Sequence, residues 1–326
     1  MQEFEFIHRV TDMLPSQAEG LLCGIGDDCA VFAGNGGRDW LISTDGFTEG
    51  VHFQAAWASP SDIGRRCLEA AVSDIAAMGG RPRYVMVSIS IPNTMSESDA
   101  MAYMQGISAS AADYQMIIIG GDTTTSKQGL HLAITVIGDV RHGASLYRRG
   151  ARVGDVVYVT GVLGGSMAGL NVLETKRTGY QEEVNRFLRP TARVASGAWL
   201  SDTGCVTSMI DVSDGLIQDL GHVAKASGVG LVVESGSIPC WQTEKGAVNI
   251  ETACASGEEY ELAFTVDGLR DSAFQRLLPA ALGQLGHPIT RIGQVVAGSG
   301  VIVRKPDGGV LSLDKSGYAH CIGKSA

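Results

Sequence analysis

The sequence predicts an α/β protein of mixed (α+β) type, built as two domains. Three observations predict it. A chain of 326 residues is long for one domain, and 44% hydrophobic residues suffice to fill two cores. Short β-branched runs alternate with helically spaced apolar stretches along the whole length. Glycine, at 43 residues, punctuates the junctions between them.

Taken in order, residues 3–14 have helical spacing. The loop Gly24-Ile25-Gly26-Asp27-Asp28 leads to a short apolar stretch, 30–33. Residues 40–43 read as a strand ending in Thr44-Asp45-Gly46. A helix over 62–78 is entered through Pro60-Ser61 and stopped by Gly79-Gly80. Residues 84–91 form a strand closed by Pro92, and 96–113 a helix capped by Ser96 or Ser98. Met116 to Ile119 reads as a buried strand halted by Gly120-Gly121. That halt sets Asp122 at a strand's carboxyl end, where open α/β sheets bind ligands. A strand over 130–137 follows.

The basic, Gly-rich stretch 141–155 (RHGASLYRRGARVGD) marks a domain boundary, giving 1–147 and 148–326. Beyond it come a strand at 156–160, the turn Gly161–Gly165 and a helix to 173. A helical region spans 185–200, broken at Pro190. Residues 209–212 are a strand and 216–226 a helix; 231–234, 262–266 and 301–304 are strands. The turn GVLGGSMAG (161–169) reads either as a phosphate-binding loop or as a tight strand-to-helix connection, and the second is favoured.

The net charge of −10 argues against nucleic acid or an anionic membrane as partner. No uncharged apolar run approaches the ~18 residues of a membrane span. Cys23, Cys29, Cys67, Cys205, Cys240, Cys254 and Cys321 are scattered without a CxxC pair, as expected for reduced thiols. The N-terminus carries acids where a signal peptide needs bases, so a cytoplasmic location is expected.

Asp28, Asp45, Asp74, Asp122, Asp211 and Asp214 carry the chemistry. Asp28 and Asp45 read equally as turn residues or as ligands, and Asp214 alone reads as a helix cap. Asp74 has Ala70, Ala71, Ala77 and Met78 as helical neighbours, so its carboxylate lies on an apolar face and needs a cation or hydrogen bonds. Together the acids fit hard divalent cations such as Mg²⁺, with Ser43 and Thr44 as neutral oxygen donors. Such a site most often serves phosphoryl transfer. No P-loop and no GxGxxG after a strand is present. Arg148 and Arg149 are either a phosphate contact or a solvated linker.

GIGDDCA (24–30), STD (43–45), GVHF (50–53), SDIAAMG (73–79), IGGDTT (119–124), IDVSDGL (210–216) and GEEYEL (257–262) resemble the thiamine-monophosphate kinases. These belong to the superfamily of aminoimidazole ribonucleotide synthetase and selenophosphate synthetase. The resemblance implies two α/β domains of that type, with N-terminal strands of two subunits forming a shared barrel in a homodimer. It implies ATP-dependent, magnesium-assisted, in-line phosphorylation of thiamine monophosphate to thiamine diphosphate. Asp28, Ser43, Thr44, Asp45, Asp74, Asp122, Asp211 and Asp214 look like magnesium ligands. Tyr114, Gly121, Asp122, Arg148 and Ser213 look like ATP contacts, with Arg148 steadying transition-state charge and no residue needed as acid or base. His52, Glu258 and Tyr318 look like substrate contacts. Ala71 and Glu259 stand where relatives carry Asn and Asp. The alternatives are a ligase or selenophosphate synthetase of the same superfamily, or a nucleotide-binding regulatory protein without turnover.

Overall fold

The computed structural model describes residues 3–14, 17–243, 246–313 and 315–318. Cys321 lies outside them. The first half runs α1 (Glu3–Thr11), β1 (Leu21–Cys23), β2 (Ala30–Ala33), β3 (Arg38–Thr48), α2 (Pro60–Ala77), β4 (Arg81–Pro92), α3 (Glu97–Asp113), β5 (Ile117–Ser126) and β6 (His131–Arg141). Its strands form one sheet in the order β1-β2-β3-β6-β4-β5. The neighbours are antiparallel except β4 and β5. Ser59 caps α2 by accepting the Asp62 N–H at 3.1 Å, and Pro60 opens its first turn. Leu68, Val72 and Ile75 of α2 join Leu41, Val85, Ile134 and Val136 of the sheet in one core.

The second half runs β7 (Val156–Thr160), α4 (Gly165–Glu174), α5 (Gln181–Leu188), α6 (Val194–Thr203), β8 (Val206–Asp211), α7 (Leu216–Ser227), β9 (Gly230–Glu234), β10 (Gln242–Thr243), β11 (Gly246–Ala247), α8 (Ile250–Ala255), β12 (Leu262–Val266), α9 (Asp271–Leu285), β13 (Ile289–Val296) and β14 (Gly300–Arg304). Its sheet has the order β14-β9-β13-β7-β12-β8. β7 and β12 are buried along their whole length, the mark of a sheet covered on both faces. Val157 and Val159 enter one core; Tyr158 enters another with Phe264 and Phe274.

That last core also contains Ala76 and Ala77 of α2, so the two halves share it. Helix α6 crosses α2 so closely that a Cβ at Gly197 would overlap the Ala76 carbonyl oxygen. The C-terminal turn of α2 is thereby wedged between the sheets.

Several elements differ from expectation. β5 does not stop at Gly120-Gly121: it continues to Ser126 as an exposed edge strand, with Ile117, Ile118 and Ile119 open to solvent. β3 likewise continues through Asp45 to Thr48. Pro190 separates two helices, as expected, but α9 and β13 were not anticipated. Both sheets are open in the single chain.

Candidate active site

A cleft of ≈ 610 Å³ opens between the halves and is lined by both. At one end three carboxylates from distant parts of the chain converge. Asp28 arrives on the loop before β2, Asp74 on α2 and Asp211 at the end of β8, and an oxygen of each lies within 4.8 Å of the others. Two hydroxyls hold them: Ser43 donates to Asp74, and Ser73 donates to Asp211 at 2.6 Å. Arg148 donates to Asp28 Oδ1 through Nε at 3.0 Å and Nη2 at 2.5 Å. The other oxygen, Oδ2, is buried without a hydrogen-bond partner among the described residues.

The electrostatics follow from crowding. Burial, then the neighbouring Asp45, Asp211 and Asp28, push the Asp74 carboxyl well above the ordinary carboxylate range. Burial and the nearby Asp28 raise Asp211 to about 7, and burial raises Asp45 to about 6. An all-oxygen donor set with an orphaned buried lone pair and mutually repelling charges fits a hard divalent cation.

A second group stands beside the first. Asp219 Oδ2 accepts the N–H groups of Ser213 (3.1 Å), Asp214 (3.2 Å) and Gly215 (3.0 Å), which fixes the turn that aims Ser213 and Asp214 into the cleft. Asp214, Asp219 and His222 bring ligand atoms within 4.8 Å of one another. The sequence reading missed Asp219 and His222. Their signal was their position: both fall in the first two turns of α7, on the side of Asp214.

His52, Glu258 and Tyr318 also line the cleft, with Phe47, Val51, Met167 and Leu170 supplying apolar surface. His52 Nδ1 accepts the Thr48 N–H at 3.0 Å, and its ring packs edge-on against Phe47. Tyr318 is tied back through its N–H to the Asp214 carbonyl at 3.0 Å. Glu258 has φ +56°, unusual for a side-chain-bearing residue, and pairs with the buried Arg66 at 2.6 Å.

Not every expected residue meets here. Asp122 and Gly121 lie on β5, separated from β3 by β6 and β4, hence about 14 Å from Asp45 at usual strand spacing. Neither lines the cleft. The notion that Asp122 closes a buried strand is therefore corrected: it stands on an open edge. Tyr114 does not line the cleft of the single chain; its hydroxyl donates to Glu69 at 2.5 Å. Thr44 lines the cleft beside Ser43 and Asp45, and its hydroxyl meets that of Thr135 on the neighbouring strand at 3.1 Å. Arg149 lies over the Tyr147 ring, so of the two arginines only Arg148 lines the cleft. The turn before α4 has its N–H groups already taken: Glu259 Oε1 accepts from Gly164 (2.8 Å) and Ser166 (3.0 Å). It is a tight connection.

Two family models match the chain: AIR synthase related protein, N-terminal domain, over residues 26–140, and AIR synthase related protein, C-terminal domain, over residues 152–305. Among curated relatives, the thiamine-monophosphate kinase of Salmonella typhimurium is 37% identical, with 98% of each chain covered. That of Bacillus subtilis is 34% identical over 98% of this chain and 99% of its own. This chain belongs to the thiamine-monophosphate kinase family. Among solved structures of that family, AaThiL complexed with AMPPCP and TMP superposes with a TM-score of 0.83 at 30% identity, covering 98% of this chain and 97% of that one. The thiamine-monophosphate kinase of Stenotrophomonas maltophilia superposes at 0.74 with 33% identity, covering 94% and 98%.

Proposed function

We propose that the protein transfers the γ-phosphoryl group of ATP to thiamine monophosphate, forming thiamine diphosphate and ADP. The observation that carries this reading is the convergence of Asp28, Asp74 and Asp211 at one end of a cleft that both halves build. Membership of the thiamine-monophosphate kinase family supplies the substrate class. Asp28, Asp45, Asp74 and Asp211, with the Ser43 hydroxyl, would hold magnesium, and Asp214 would hold a further ion at the adjoining group. When bound, magnesium neutralises polyphosphate charge during the transfer.

The remaining roles belong to the chain itself. Arg148, fixed by Asp28, offers a guanidinium to phosphate oxygens and steadies charge as it redistributes. Ser213 lies at the same end, where the nucleotide's phosphates reach it. His52, Glu258 and Tyr318 receive the thiamine moiety. The acceptor is a phosphate oxygen, largely ionised near neutral pH, so no general base has to activate it.

Gly121, Asp122 and Tyr114 enter this reading only through a homodimer. The exposed β5 edge, with Ile117 to Ile119 and the outward-facing Met86 and Trp40, is a surface that a second copy of the sheet would cover. The pairing would bring Gly121 and Asp122 to a second copy's site. Reduced thiols and the absence, among the described residues, of a helix long and apolar enough to cross a membrane are consistent with a cytoplasmic enzyme.

The reaction is tested by incubating the protein with ATP, magnesium and thiamine monophosphate and following products by mass spectrometry. Stoichiometric ADP and thiamine diphosphate are expected. ATP turnover without thiamine diphosphate, or no turnover, would overturn the assignment.

A further inference from the structure

Arg66 sits in the second turn of α2 with only 4% of its surface exposed, a costly position for a guanidinium. Its charge meets one carboxylate, Glu258 Oε1 at 2.6 Å. The rest of the group is held from the α5 side: it donates to the Phe187 carbonyl, and its Cζ lies over the Phe187 ring, 4.0 Å from the centroid. Glu258 is itself strained, with φ +56°, and Tyr260 two residues on has φ +52°. Such conformations cost about 1–3 kcal/mol each and persist where the surroundings over-determine them. The Glu258 N–H donates to the Ser213 carbonyl at 2.6 Å, so its backbone is fastened to the turn at the phosphate end. The carboxylate is thus clamped at both its backbone and its tip while it lines the cleft.

We propose that Arg66 is a positioning residue that fixes Glu258 as a directed hydrogen-bond acceptor for an exocyclic amine on the substrate's aromatic ring, and so sets specificity for an aminopyrimidine. This rests on the assignment of thiamine monophosphate as acceptor. Arg66 engages Oε1, leaving Oε2 to accept the amine. Ion-pairing also removes much of the free negative field. Glu258 then discriminates by geometry more than by attraction for the cationic thiazolium, which many organic cations would satisfy equally.

The experiment compares wild type, Arg66→Met, Arg66→Lys, Glu258→Gln and the double variant Arg66→Met/Glu258→Gln. Each is assayed with thiamine monophosphate and with the analogue carrying a 4-oxo group in place of the 4-amino group. In Arg66→Met the KM for thiamine monophosphate should rise about 10- to 100-fold, the span expected when a charged hydrogen bond is misdirected. The KM for ATP and kcat should stay within about threefold, and the preference for the 4-amino over the 4-oxo substrate should collapse. Arg66→Lys should restore part of that preference. Added to Glu258→Gln, the Arg66 substitution should have little further effect, since it acts through that carboxylate. If Arg66→Met lowers kcat and both KM values worsen alike, or if its effect adds in full to that of Glu258→Gln, Arg66 is merely structural and the proposal fails. Wild-type protein inactive on thiamine monophosphate would instead overturn the underlying assignment, an outcome read separately from the variants.

Discussion

At the residue scale, the buried carboxylates set the behaviour of the metal-free protein. Asp211 is raised to about 7 and Asp45 to about 6, so the folded state binds protons more tightly than the unfolded chain. Stability from these groups is present in full below the ordinary carboxylate range and is lost as pH rises toward and through those values. In chelator, the melting temperature should therefore fall between about pH 5 and 8, and magnesium should abolish the fall. A chelated protein whose melting temperature stays level or climbs over that interval would contradict the crowding described for Asp28, Asp74 and Asp211. Asp74→Asn removes one of the repelling charges. It should raise the melting temperature in chelator while reducing phosphoryl transfer by at least about 10²-fold, read by coupled ADP release.

At the element scale, the contact between α2 and α6 leaves no room for a side chain. Gly197→Val should destabilise the protein by about 3 kcal/mol or more, seen as a lowered urea midpoint, because the crossing must open to admit it. An unchanged midpoint would mean that the helices are not seated as closely as described. The elements also show what the amino-acid order made legible. Asp74 stood out because a charge on an alanine stripe of a helix contradicts its surroundings, and that contradiction needs no tertiary knowledge. Arg66 did not, because beside Arg65 it reads as a solvated pair; only folding brings Glu258 to it. β5 misled for a related reason: isoleucines announce a need for cover without saying what provides it. The glycines after them read as a stop, whereas Gly120 and Gly121 pair in register with Met86 and Val87 inside the strand.

At the scale of the whole molecule, Asp122 is exposed on the β5 edge of one chain, and the proposed homodimer would carry it to a second copy's site. Asp122→Ala should fold normally and lose transfer. Mixed with inactive Asp74→Asn and allowed to exchange subunits, it should regain about a quarter of wild-type activity, since one of the two sites in each mixed dimer would be whole. No recovery on exchange would confine Asp122 to its own chain. The arrangement of α2 carries a further consequence. Arg66, Ala70, Ser73, Asp74 and Ala77 follow one stripe of this helix, and along it stand the ion pair to Glu258, the cleft wall, the hydroxyl on Asp211, the carboxylate on Ser43 and the core between the halves. A single-residue insertion near its middle would swing everything downstream by about 100° and separate all of these at once. Length variation among descendants of this chain should accordingly be purged from α2 and tolerated in the solvent-facing turns.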